Sequence, residues 1–257
     1  DIELSPFSWS EFLEASENEA GVDSFIKFMN TGGFPEYVTS GREEILSDLF
    51  EDILIRDIVV RYGIRDLKGL QRLALWLISN TGNRVTGSKL KQAVGITSTS
   101  TIMEYFSHLE SSYLFHFVPC FSYSARAQMI NPRKIYSADN GLISVNSASF
   151  TDDRGKKLEN LVYNHLRLTN KSIYYYSGKN ECDFIITPKG RKPLAFQVCH
   201  TLDRDNLDRE LEGLFEALGY FKLKEGIIIT LNQTDIFRTN EFTARVIPAW
   251  EFMKTRM

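Results

Sequence analysis

The fold of the second half of the chain is decided by Glu181-Cys182-Asp183-Phe184-Ile185-Ile186, followed after a short turn by Leu194-Ala195-Phe196-Gln197-Val198-Cys199. Both runs are rich in apolar and β-favouring residues, and turn formers separate them: Pro188, Gly190 and Pro193. This pattern predicts two neighbouring strands joined by a hairpin-like connection. Because side chains alternate across a strand, Asp183 can meet Gln197 and Cys199 on one face.

Three positions around this hairpin resemble the active site of nucleases of the restriction-endonuclease-like fold. Those nucleases carry an Asp on one strand and a Glu-x-Lys or Gln-x-Lys on the next, often with a Glu from the preceding helix. The matching residues here are Asp183, Gln197-Val198-Cys199 and Glu159, with Cys199 at the Lys position. The resemblance implies that Glu159, Asp183 and Gln197 occupy catalytic positions. It also implies that Asp183 and Glu159 are the ligands of a Mg²⁺ ion, if a cofactor is used.

A longer series of motifs extends the resemblance over nearly the whole chain. Their order and spacing resemble the C-terminal half of a prokaryotic family of AAA-plus-type ATPases, in which an ATPase core precedes a winged helix and a nuclease-like domain of undetermined function. The motifs that occur in that order are Gly32-Gly33-Phe34-Pro35-Glu36-Tyr37, Arg56-Asp57-Ile58, Lys134–Leu142 and Leu158–Tyr163, then Asp183-Phe184 and Gln197-Val198-Cys199. The resemblance implies an upstream ATPase core as a partner.

At 257 residues the chain exceeds the usual size of one domain. We predict a mixed α+β (α/β) protein in three parts. Residues 1–67 have the pattern of a helical segment, with one long helix over about 42–61. Residues 68–140 have the pattern of a winged helix, with Leu114–Phe121 and Lys134–Tyr136 as its wing strands. Residues 141–257 resemble a restriction-endonuclease-like α/β domain, with parallel pairing expected at the end of the sheet.

Charge is unevenly distributed along the chain. Residues 1–67 hold 5 Lys and Arg against 15 Asp and Glu, whereas residues 68–135 hold 8 against 2. A basic segment with a helix-turn-helix pattern is where a duplex DNA partner would bind. The candidate contacts are Arg84, Lys89, Lys91, Arg126, Arg133 and Lys134.

The predicted recognition helix begins Thr97-Ser98-Thr99-Ser100-Thr101. Hydroxyls can bind phosphates, but this helix start offers no Arg or Asn for bidentate recognition of a base. The pattern therefore favours contacts with the DNA backbone over sequence-specific recognition. A winged helix used for packing or for protein contacts remains an alternative.

The nuclease resemblance leaves the activity of the second domain open. Phosphodiester cleavage with Mg²⁺ needs hard oxygen ligands and a positive charge near the attacked phosphate. Gln197 offers only a neutral carbonyl, and Cys199 provides a thiol where a Lys would stand. We therefore expect an accessory region that engages DNA or a protein partner through a winged helix and an inactive nuclease-like domain. The alternatives are a Mg²⁺-dependent deoxyribonuclease and a protein-interaction module that regulates the ATPase core.

The sequence also suggests where the protein works. Its three cysteines, Cys120, Cys182 and Cys199, are widely spaced and odd in number, which favours a reducing cytoplasm over a disulfide framework. The sequence has no apolar run near the roughly 20 residues of a membrane span. Cytoplasmic localisation without a membrane partner is the expectation.

The first prediction concerns ATP. No Gly-x-x-x-x-Gly-Lys-Ser/Thr motif occurs in these 257 residues, so they lack the loop that cradles nucleotide phosphates in P-loop ATPases. Titration calorimetry of this chain with Mg-ATP should give no stoichiometric binding. A saturable site of micromolar affinity would contradict the prediction.

Overall fold

The protein is a mixed α+β chain, as the sequence predicts. The computed structural model describes residues 5–148 and 153–254. Within these ranges the chain divides into two compact units. The first contains residues 5–18, 27–117, 132–148 and 153, and the second contains residues 19–26, 118–131 and 154–254.

Helices dominate the early part of the chain. They are α1 (Trp9–Ala15), α2 (Val22–Thr31), α3 (Pro35–Ser40), α4 (Glu44–Asp52) and a π-helix (Ile53–Val60). The single helix predicted over about 42–61 is therefore an α-helix that widens into a π-helix. The buried residues Leu46, Phe50, Leu54 and Ile58 recur every four residues. This repeat is longer than an α-helical turn, and the wider π turn keeps Leu54 and Ile58 on the stripe begun by Leu46.

Three helices and three short strands complete the main part of the first unit. In chain order they are α5 (Leu67–Ser79), β1 (Arg84–Val85), α6 (Gly87–Val94), α7 (Thr99–Ser111), β2 (Phe115–Pro119) and β3 (Arg133–Ser137). Strand β3 lies between β1 and β2 and runs antiparallel to β1. Thr86 and Ser98 cap α6 and α7, each side-chain oxygen accepting a backbone N–H at 3.4 Å. Gly95 ends α6 in the left-handed conformation, with φ of 68°.

The connection between β2 and β3 is not the simple wing that the sequence predicts. It carries α8 (Ala125–Ile130), and residues 118–131 belong to the second unit. There the N–H of Phe121 donates to the carbonyl of Tyr175 at 2.8 Å, and Cys120 forms a parallel bridge with Tyr175. These backbone bonds satisfy polar groups on the strand that contains Tyr175 and fix the segment there.

The second unit contains a six-stranded sheet. Its strands are β4 (Ile173–Ser177), β5 (Glu181–Ile186), β6 (Leu194–Val198), β7 (Glu225–Thr230), β8 (Asp235–Arg238) and β9 (Thr243–Pro248), in the order β4-β5-β6-β7-β9-β8. The predicted pairing of β5 with β6 is confirmed, with Phe184 opposite Phe196 in an antiparallel register. Parallel pairing is confirmed between β6 and β7 and between β7 and β9. The edge strand β8 is an addition that the sequence reasoning did not predict.

Helices cover both faces of this sheet. They are α10 (Arg154–Arg167) on one face, α11 (Leu207–Tyr220) on the other, and the short α12 (Ala249–Phe252) after β9. Tyr163 of α10 stacks on Phe184 with ring centroids 6.2 Å apart. Gly213 of α11 lies so close to the carbonyl of Glu181 that a Cβ would overlap it. The side chain of Gln197 on β6 reaches Glu210 of α11, so Gln197 lies on the α11 face.

The compact units do not follow the boundaries predicted for the first half of the chain. Residue 67 ends no unit, because Leu46 and Leu54 before it share one apolar core with Leu70 after it. The core also includes Leu142 of α9 (Asn140–Asn146), so the unit continues past residue 140. The segment predicted to be helical and the region predicted to be a winged helix are thus parts of one packed body.

A buried carboxylate ties the α2–α3 turn to α9. Asp139 is the N-cap of α9, where its Oδ1 accepts the N–H of Gly141 at 2.7 Å. Its Oδ2 accepts the N–H of Gly33 at 2.7 Å. Gly32 has a φ of +70° and lies against this carboxylate, leaving no room for a Cβ. Burial raises the pKa of Asp139 to about 6, although the backbone N–H donors oppose the shift.

None of the helices within the described ranges is long and apolar enough to cross a membrane.

The second prediction concerns the pH dependence caused by Asp139. An acid whose folded-state pKa is raised from 3.8 to about 6 stabilises the fold below pH 4 and loses that contribution as the pH rises through 6. Between pH 4 and a pH above 6, the free energy of unfolding of wild type should fall by about 1–3 kcal/mol relative to that of Asp139→Asn. Urea unfolding of both proteins across this pH range measures the difference. A pH-independent difference would contradict the raised pKa.

Candidate functional site

The residues of the predicted site meet where α11 covers β5 and β6. Asp183 of β5 is 6% exposed, Gln197 of β6 is 6% exposed, and Glu210 of α11 is 4% exposed. Buried polar groups of this kind must be hydrogen-bonded to each other or to backbone. The sequence reasoning predicted that Asp183 and Gln197 lie close together, and the structure places them in hydrogen-bond contact.

The amide of Gln197 is the centre of the site. Its Oε1 accepts the backbone N–H of Asp183 at 3.2 Å, and its Nε2 donates to Oε2 of Glu210 at 2.6 Å. Oδ2 of Asp183 accepts the backbone N–H of Val198 at 2.9 Å. These bonds connect both strands and the helix in one chain of donors and acceptors.

Arg209 completes the chain at the surface. Its Nη2 and Nε donate to Oε1 of Glu210 at 2.5 and 3.2 Å. This charged partner raises the pKa of Arg209 above its usual value. Both oxygens of the buried Glu210 therefore have donors, one from a neutral amide and one from a guanidinium. Such pairing is what makes a buried carboxylate tolerable.

Cys199 borders the same site and is buried. Burial raises the pKa of its thiol to about 12, and the negative charges of Glu210 and Asp183 act in the same direction. At neutral pH the side chain is a neutral thiol. It cannot supply the positive charge that a Lys would bring to this position.

Glu159 belongs to a different helix from Glu210. It lies half-buried on α10, the helix that covers the face of Phe184. The helix whose carboxylate is hydrogen-bonded to Gln197 is α11, through Glu210. Across residues 5–148 and 153–254, no three His, Cys, Asp or Glu side chains form a group that could hold a metal ion.

Glu210 is the residue that the sequence reasoning missed, although the sequence contains a signal for it. The apolar stripe of α11 includes Leu207, Leu211 and Leu214. Glu210 lies three residues after Leu207 and four before Leu214, so it is in register with that stripe. A carboxylate in such a position faces the core and needs a buried partner.

The predicted DNA contacts are spread over both units. Arg84 and Lys89 are exposed in the first unit, and Lys91 and Arg133 are half-buried there. Arg126 is exposed on α8 of the second unit. Lys134 does not lie on the surface as a DNA contact would, because its side chain is 2% exposed. Ile135, Tyr136 and Ser137, which follow it on β3, are buried as well, so both faces of this strand are covered.

Comparison with known proteins gives a family but no activity. A family model described as a domain of unknown function, DUF8612, matches residues 22–152, half of the chain. The chain belongs to the DUF8612 family. The DUF8612 match covers most of the first unit and ends before Asp183, so it does not include the candidate site.

Two relatives are longer than this DUF8612 chain. An uncharacterized protein of Methanocaldococcus jannaschii is 30% identical over 286 aligned residues, which include 98% of this chain and 63% of the relative. An uncharacterized protein of Haemophilus influenzae is 30% identical over 230 residues, which include 80% of this chain and 56% of the relative. The chain thus spans about three fifths of the curated relatives that it matches. No solved structure matches it.

The third prediction tests the polarity of the site. In Gln197→Glu, a second carboxylate would replace the amide that donates to Glu210 at 2.6 Å. Two carboxylates at this distance repel each other in a buried site, so we expect a loss of about 2–4 kcal/mol at neutral pH. Adding Glu210→Gln should restore stability, because the new amide on α11 can donate to the carboxylate introduced on β6 and accept from Arg209.

Urea unfolding of the single and double variants measures this effect. Glu212→Gln, an exposed position on the same helix, is the matched control and should behave like wild type. If Gln197→Glu were as stable as wild type, or if Glu210→Gln gave no rescue, the proposed pairing of residues 197 and 210 would be wrong.

Proposed function

We propose that this chain is the accessory region of a larger ATPase, which engages duplex DNA through α6 and α7 of the first unit. The second unit is a nuclease-like domain whose former catalytic positions now serve the stability of the fold. The observation that supports this most strongly is the arrangement of α6 and α7 beside a three-stranded sheet. It has the order of helices and strands found in winged-helix domains, in which α7 would be the recognition helix.

The surface of the helix pair suits a phosphate backbone. Thr97, Thr99 and Ser100 at the start of α7 are exposed, and so is Lys89 of α6. Backbone N–H groups and hydroxyls at a helix N-terminus bind phosphate oxygens, and Lys adds charge without reading the base sequence. Binding should therefore be salt-sensitive and nearly independent of sequence.

The hydrogen bonds of the second unit support a structural role for its site. Gln197 uses both ends of its amide, and Glu210 is paired on both oxygens. A metal ion would have to displace these partners before Gln197 or Glu210 could bind it. The neutral thiol of Cys199 would still leave the attacked phosphate without a positive charge. The alternative of a Mg²⁺-dependent nuclease therefore has the weaker support.

The role beside an ATPase core is supported by the motif order described above and by the relatives. More than a third of each relative lies outside the region aligned with this chain. A P-loop core in that remaining length would complete the expected architecture.

The fourth prediction tests duplex binding. Fluorescence anisotropy with a labelled duplex should give a binding constant whose logarithm falls linearly with the logarithm of the salt concentration. Charge reversal at both Lys89 and Lys91 should weaken binding and flatten the slope by about two units, one per lost contact. Charge reversal at Lys189 and Lys192, exposed in the second unit, changes the net charge equally and should have little effect.

Two outcomes would contradict the proposal. Equal losses in both double variants would indicate a general charge effect, and no binding at low salt would favour a protein-interaction module. Cleavage of the duplex with Mg²⁺ or Mn²⁺, abolished by Asp183→Ala, would establish the nuclease alternative instead.

A further inference from the structure

Aromatic rings form an exposed stack on the second unit. Tyr123, which precedes α8, is 82% exposed, and Tyr220 at the end of α11 is 44% exposed. Their rings are nearly parallel, with an interplanar angle of 26° and centroids 6.1 Å apart. A tyrosine this exposed keeps most of one ring face in water. Such an exposed aromatic face is available to stack on a planar ligand.

The stack has a rigid base. Phe121 meets Tyr123 edge to face at 5.2 Å and 85°, and meets Phe221 in the same way at 4.7 Å and 73°. The ring of Tyr176 packs against the ring of Tyr220, with centroids 5.1 Å apart. Because the backbone of Phe121 is bonded to Tyr175, the whole group is fixed to the edge strand β4. The open face of Tyr123 is therefore held in place before any ligand binds.

Two exposed cationic residues and one hydrogen-bonded carboxylate lie near the stack in the chain. Arg126 lies three residues after Tyr123 and is the single charged residue of segment 118–131. Lys222 lies two residues after Tyr220, and both cationic residues are exposed. The carboxylate is that of Glu216, which accepts a hydrogen bond from the hydroxyl of Tyr176 at 3.1 Å. It also accepts the backbone N–H groups of Lys179 and Asn180, both at 2.8 Å.

We propose that Tyr123 and Tyr220 form a stacking site for unpaired bases of a single-stranded nucleic acid, with Arg126 and Lys222 contacting its phosphates. An aromatic face binds any base, and flanking cations bind the backbone, which is how single strands are bound without sequence preference. This site lies in the second unit, whereas the proposed duplex contacts lie in the first. It therefore does not depend on the duplex-binding proposal.

An apolar protein partner is the competing occupant. The same segment exposes Met129 at 72% and Ile130 at 71% on α8, and such residues are common in protein interfaces. A protein would bury these two aliphatic side chains, whereas a base needs the planar ring of Tyr123. The positive charge of the segment and the parallel geometry of the rings favour the nucleic acid.

The fifth prediction separates the two occupants with matched variants. The probe is a fluorescein-labelled oligothymidylate of about 12 nucleotides, followed by anisotropy at low salt. Wild type and Tyr123→Phe, which keeps the ring, should bind it alike. Tyr123→Leu keeps apolar bulk but loses the ring, and it should bind about tenfold more weakly. Ile130→Ala and the charge reversal of Lys89 and Lys91 should leave oligothymidylate binding unchanged.

Tyr123 is so exposed that none of its variants should change thermal unfolding, which serves as the folding control. Failure of wild type to bind the oligothymidylate would overturn the proposal. Equal binding by Tyr123→Leu and wild type would also overturn it, as would a loss in Ile130→Ala as large as that in Tyr123→Leu. Loss of duplex binding in the Lys89 and Lys91 variant, with oligothymidylate binding retained, would show that the two sites are separate.

Discussion

The hydrogen bonds of one amide side chain hold together the central elements of the second unit. Gln197 accepts from the backbone of β5 and donates to the carboxylate of α11. An amide is suited to this position because it has an acceptor at one end and two donors at the other. A carboxylate would satisfy the strand but repel Glu210, and an apolar residue would leave two buried polar groups without a partner.

Under the proposed function, this arrangement explains how a nuclease-like fold becomes independent of catalysis. In an active nuclease the cleft between the two strands and the neighbouring helix is a polar cavity that a metal ion fills. Here Glu210 enters from α11, Gln197 turns its amide toward it, and Arg209 balances the charge from the surface. Protein groups occupy the cleft. Their hydrogen bonds contribute to the folding free energy in place of metal binding.

The sequence predicted those features that depend on local periodicity. Strand alternation placed Gln197 and Cys199 on one face, and both lie beside α11. Glu210 was missed because its partner, Gln197, lies on the sheet that α11 covers. Local sequence patterns do not predict which residues meet at such a helix–sheet contact. The π-helix was missed for a related reason: a four-residue repeat fits an α-helix nearly as well, and only the packing of Leu54 and Ile58 decides. The role of Glu159 rested on resemblance, and it stays a prediction.

The path of segment 118–131 has a consequence for how the protein is made. Strand β2 emerges from the ribosome about 55 residues before Tyr175, the residue that fixes Cys120 and Phe121. Until then the nascent chain carries an apolar loop, including these two residues, with no strand to bind. A product that terminated before β4 would expose this loop permanently and become a substrate for chaperones and proteases. Quality control of unfinished chains can therefore act on this loop alone.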